Sequence, residues 1–135
     1  MTERESRAWH HPGQVEVYDL AQRRDAAPVV NLCGAILREA TSQHATRVRV
    51  SSAGEVSYEI EGAWRAVMVI PPKVLGAILN RLKVMADLDI AKHSLQSGVL
   101  ALRTQERTFN ARIAVSMTPA VGEEALIDFS ASAAV

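Results

Sequence analysis

From residue 28 onward the chain runs through two hydrophobic periods in turn. Val29, Leu32, Cys33, Ile36, Leu37 and Ala40 recur every three or four residues and line one side of a helix, with Pro28 suited to its first turn. The spacing predicts a helix over 28–41 that stops where Thr41, Ser42, Gln43 and His44 break the pattern. The period then drops to two. Val48 and Val50 share one face of an extended segment, and Arg47 and Arg49 share the other. Ser51-Ser52-Ala53-Gly54 is turn chemistry, after which Val56, Tyr58 and Ile60 alternate inward over 55–61, so the two segments read as a β-hairpin. Gly62 ends it, and 64–70 is a third, more apolar strand.

Pro71-Pro72 breaks that strand and launches a second helix. Its apolar stripe is Val74, Leu75, Ile78, Leu79, Leu82 and Met85, and Lys73, Arg81 and Lys83 are expected to face solvent. A looser stretch over 86–97 precedes three further strands, at 98–103, 108–117 and 123–129. The order α-βββ-α-βββ, with tight turns between successive strands, predicts an α+β fold: an antiparallel sheet of about six strands with two main helices on one face. Residues 1–27 show no sustained periodicity and are read as a flexible arm with one short extended piece at 15–18; 28–130 is the folded domain and 131–135 a frayed tail.

Composition narrows the function. Fifteen basic residues balance fifteen acidic ones, which lacks the basic excess of a dedicated nucleic-acid binder. The single cysteine, Cys33, lies in the apolar helical pattern and reads as a core residue, compatible with a reducing cytoplasm. The first 14 residues have no apolar stretch of the signal-peptide kind, and no run approaches a membrane span. These features predict a soluble, cytoplasmic chain with no direct membrane insertion.

Catalytic motifs are missing. No G-x-x-x-x-G-K-[ST] loop, G-x-G-x-x-G, C-x-x-C or H-E-x-x-H occurs. His10, His11, His44 and His93 fall in the arm or in loops without a carboxylate at ligand spacing. The expectation is no catalytic, cofactor or metal site. The strongest polar feature is the hairpin, where Arg47 and Arg49 point away from the core together with Ser57, Glu59 and Glu61. Two readings apply: cross-strand charge pairing, or an anion-binding patch extended by Arg112. The neighbouring acids favour pairing.

The segment order also resembles a family. Residues 28–41, PVVNLCGAILREAT, are similar to the helix that opens the second N-terminal domain of type II secretion and type IV pilus-assembly ATPases. Residues 78–91, ILNRLKVMADLDIA, resemble the family's RIKIMAGLDIAE signature; Gln96-Ser97-Gly98 resembles PQDG; and Val115-Ser116-Met117-Thr118-Pro119 with Gly122-Glu123 resembles RVSTLP…GE. The likeness spans about 28–129. It implies a PAS-like accessory domain, which in the family is joined by a linker to a RecA-like motor carrying the phosphate loop. The chain ends near where that linker would begin, so the resemblance implies a stand-alone domain without the motor.

In the family this domain lends arginines to nucleotide held by the motor. The positions of two of them correspond to Ser57 and Glu59, and that of a third to Ala114, so the resemblance implies that nucleotide contacts are lost. It further implies a non-catalytic docking module whose partner is a secretion or pilus ATPase, or a platform component that recruits it to the inner face of the membrane. The expected partner-binding residues are Arg47, Arg49, Glu59, Glu61, Arg112, His93 and Gln96. The rival reading is a nucleotide or cyclic-dinucleotide sensor using Arg47, Arg49 and Arg112.

Overall fold

A computed structural model describes residues 17–19, 28–92, 94–105, 107–118, 120 and 122–130. Within them the elements are β1 (Val17–Asp19), α1 (Pro28–Ser42), β2 (Arg47–Val50), β3 (Glu55–Ile60), β4 (Ala63–Val69), α2 (Pro72–Met85), β5 (Gln96–Arg103), β6 (Thr108–Thr118) and β7 (Gly122–Asp128). From α1 onward this is the predicted α-βββ-α-βββ order. The six strands β2 to β7 pair antiparallel, in the spatial order β5-β6-β7-β2-β3-β4.

The extended piece expected at 15–18 is the strand at 17–19. It adds a seventh strand at the sheet edge, parallel to β5, with Tyr18 opposite Leu102. The expectations for the rest of 1–27 and for 131–135 lie outside the described residues.

Both helices cover one face of the sheet. Cys33, Ile36, Leu37 and Ala40 from α1 and Ile78, Leu79, Leu82 and Met85 from α2 share one core with the inward residues of β2, β3, β5, β6 and β7. Buried Tyr58 joins the layers: its hydroxyl lies 3.2 Å from the Ile36 carbonyl and 3.0 Å from a Glu39 carboxylate oxygen. The helices end alike. His44 (φ 57°) and Asp87 (φ 59°) take the left-handed conformation. The following amides, of Ala45 and Leu88, reach back to the carbonyls of Ala40 (2.9 Å) and Lys83 (2.8 Å). With His44 N–H on Thr41 and Asp87 N–H on Val84, each end is a Schellman motif.

Two expectations, for Lys83 and for Glu61, are corrected. Lys83, expected in solvent, is fully buried. It stands four residues after Leu79, on the buried stripe, where a partner for its ammonium makes burial tolerable. β4 is apolar but exposed, with only Met68 half-buried and Trp64 at 42% exposure, because it is the open edge beyond β3 and the helices do not reach over it. Glu61 does not continue the outward face of β3. The strand ends at Ile60, and Glu61 (φ 52°) and Gly62 (φ 79°) form a two-residue loop, the positive φ at both positions being what a type I′ hairpin requires.

Candidate functional site

The face of the sheet turned away from the helices carries the polar residues singled out in the sequence. Strand register sets them in one row. Trp64 on β4 stands opposite Glu59 on β3, Glu59 opposite Arg47 on β2, Arg47 opposite Asp128 on β7, and Asp128 opposite Arg112 on β6. Charge therefore alternates across four neighbouring strands. In the next row Ser57, Arg49, Leu126 and Ala114 follow one another.

Most of this charge is spent internally. Arg47 grips Glu59 with two parallel bonds, Nε to Oε1 at 2.8 Å and Nη2 to Oε2 at 2.6 Å, and the Thr46 hydroxyl donates to the same carboxylate at 2.7 Å. These bonds, the one from Arg47 first, hold the Glu59 carboxyl down to about 2, and the same pairing raises the Arg47 guanidinium above its usual value. The Arg47 guanidinium carbon also lies 5.1 Å from the centre of the Trp64 ring. Arg49 meets Glu124 at 3.0 Å in a more exposed pair. Cross-strand pairing, the first of the two readings of this hairpin, is what the geometry contains.

The structure thus brings together Arg47, Arg49, Glu59 and Arg112, and separates the rest. Glu61 sits in the hairpin loop. Gln96 is the first residue of β5 and holds the preceding loop: its Nε2 donates to the Asp89 carbonyl (2.9 Å), and its Oε1 accepts from the Asp89 amide (3.0 Å). His93 lies outside the described residues. Sequence reasoning missed Trp64, Glu124 and Asp128 on the outer face. Trp64 alternates with Glu59 across a two-residue turn and was legible from register; Glu124 and Asp128 come from a distant strand.

The cysteine is not activated as a nucleophile. Burial pushes the Cys33 thiol up to about 12, against a smaller lowering by the Arg81 charge, and its Sγ lies 3.9 Å from the Met85 Sδ. Among the described residues no group of three or more His, Cys, Asp or Glu is placed to hold a metal ion. Among them, too, no helix is long and apolar enough to cross a membrane.

Comparisons with known proteins converge. The chain is 37% identical over 108 residues to the type II secretion system protein HxcR of Pseudomonas aeruginosa, covering 76% of this chain and 23% of that protein. It is 31% identical over 116 residues to the type II secretion system protein E of the same organism, covering 83% and 23%. The chain thus spans about a quarter of the length of these relatives. Its fold is similar to part of the VirB11 ATPase of the Brucella suis type IV secretion system, crystallised with sulphate: the TM-score is 0.54 at 23% identity, over 76% of this chain and 30% of that one. The profile of the type II/IV secretion system protein family matches residues 22–133, five-sixths of the sequence, and the chain belongs to that family.

Proposed function

We propose that this chain is a non-catalytic docking domain of a type II secretion or type IV pilus-like machine. It engages the secretion ATPase or a platform component that bears it, on the cytoplasmic side of the membrane. The observation that carries this reading is the state of the outer face. The three positions that the family resemblance assigns to arginine, Ser57, Glu59 and Ala114, all belong to this face, as register with Arg49, Arg47 and Leu126 places them. Glu59 is bound to Arg47 where a phosphate contact would be needed. A face built to receive nucleotide is here closed by its own carboxylates, which leaves a mixed surface of paired charge beside exposed Trp64 and Val69 suited to protein contact. The proposed docking surface also includes the loop from Asp89 to Gly98.

The sensor reading would require a phosphate to displace Glu59 and Glu124 from their arginines. The test is an affinity pull-down from the protein's own cells, repeated with Arg47→Glu and Arg49→Glu combined. Recovery of a secretion or pilus ATPase with the wild type and its loss with the folded double variant supports docking through this face. Equal recovery with both refutes this surface. A nucleotide that raises the melting temperature of the wild type but not of the double variant moves the function to the sensor class.

A further inference from the structure

The one buried charge of the described residues lies away from the outer face. Lys83, two residues before the end of α2 and fully inaccessible, donates from Nζ to Glu123 Oε2 at 2.6 Å and to the main-chain carbonyl of Lys92 at 3.3 Å. Glu123, the second residue of β7, lies on the inner face, in phase with Ala125 and Ile127. The Lys92 carbonyl also accepts from Gln96 Nε2 at 3.4 Å, and Gln96 closes a two-way pair with Asp89. Asp89 Oδ1 in turn accepts from the Ala91 amide at 2.9 Å. One ammonium thus links α2, the start of β7 and a loop that has no strand or helix of its own. Gly98 brings β5 in tightly behind it: a Cβ there would stand 3.1 Å from both the Ala86 carbonyl and a Leu88 methyl.

A buried lysine is a costly way to hold a loop if stability is the only gain, since apolar residues of the same volume do as well or better. What the loop presents gives the reason. Ile90 is 48% exposed and Leu95 68%, and Met117, on β6 two residues beyond the partner of Gln96, is 40% exposed. Large apolar side chains in a free loop would fold back on the domain; here the main chain that bears them is fastened at both ends. We infer that Lys83 is a positioning residue: with Glu123 as its anchor it fixes the main chain at Lys92 and holds loop residues 87–92 and 94–95 in the shape that presents Ile90 and Leu95 to the secretion ATPase. This rests on the docking reading for its purpose, though not for its mechanism.

The test replaces the pair by apolar residues of similar size, Lys83→Met with Glu123→Leu, and follows amide hydrogen exchange of the isolated chain. Exchange over 87–95 is expected to quicken about tenfold or more while the amides of β2 and β7 keep their protection. Unchanged exchange over 87–95 overturns the inference, and so does a uniform rise across the sheet, which would mark a purely structural lysine. If the double variant does not fold, the native protein decides. A Lys83 ammonium resonance protected from solvent and correlated with Lys92 supports the tether, and a rapidly exchanging ammonium without that correlation overturns it. Capture of the secretion ATPase by the folded variant separates the two readings. Weakened capture supports a loop held for docking. Full capture by a variant with an opened loop overturns that purpose.

Discussion

Two ion pairs in this domain close to the same distance, 2.6 Å, on opposite faces of one sheet. Arg47 and Glu59 meet on the outer face, within reach of water, with a third bond from Thr46 and an indole alongside. Lys83 and Glu123 meet on the inner face; both glutamates expose 15% of the side chain, but Lys83 is wholly inaccessible where Arg47 is 36% exposed. Distance alone would rate them equal. Water does not. On the outside, solvent screens the attraction and takes over either partner if the other is lost, so the pair sets geometry and titration more than stability. On the inside, an abandoned ammonium has nowhere to go, so the pair is worth little against an apolar substitute and a great deal against its own half.

The inner pair should break hardest. Glu123→Ala leaves Lys83 charged and buried with one carbonyl for company, and is expected to cost about 3 kcal/mol in urea unfolding; a loss near zero would mean that water reaches Lys83. Next in size is a gain. Asp87 holds a left-handed conformation at the end of α2, where the loop tethered by Lys83 begins. Asp87→Gly is expected to stabilise by roughly 0.5–1 kcal/mol, the relief of the left-handed cost less the greater freedom of an unfolded glycine. Thermal unfolding of the two proteins side by side measures it.

The smallest effect belongs to the outer pair. Arg47→Gln should lower the melting temperature at neutral pH slightly, because solvent screens the pair, and raise the midpoint of the Glu59 carboxyl from about 2 part of the way toward the usual 4.5, read by carbon NMR of the side chain. The sign follows from the depressed folded value. The pair's contribution is complete above about 4.5 and is lost as pH falls from there through about 2, so wild type and variant should converge in acid.

Much of this was legible along the chain, for local reasons. Periods of 3.6 and 2 and the apolar run of β4 located both helices and all six antiparallel strands, because every element but β4 buries one face against the same core. The alternation of Arg47 and Arg49 with Val48 and Val50 placed the charged face correctly. Lys83 was misjudged by its type, although its spacing from Leu79 put it on the buried stripe; the residue that makes burial possible, Glu123, is forty positions away and belongs to no local pattern. The exposure of β4 was not legible, since an apolar sequence states what a strand can bury and not whether anything arrives to cover it. Glu61 turned on two residues: Gly62 marked the turn, but a glutamate at positive φ beside it is not the usual hairpin signature, so the strand was read one residue too long. The family resemblance supplied the remaining identification, and its RIKIMAGLDIAE signature now has a physical reading at one position: its glycine corresponds to Asp87, the left-handed residue that closes α2.

In the sheet order, β7 lies in the middle, between β6 and β2, yet it is the last strand in the sequence. Synthesis therefore delivers the centre of the sheet after both of its wings. Until Gly122–Asp128 is available, β2-β3-β4 and β5-β6 are separate pieces, each with an open inner edge and an uncovered apolar face. Joining them requires contacts between residues as far apart as Arg47 and Asp128, the kind of long loop closure that slows folding. The nascent domain is thus expected to mature in one late step, and a chain stopped short of residue 122 to yield two sticky fragments where a slightly longer one yields a sheet.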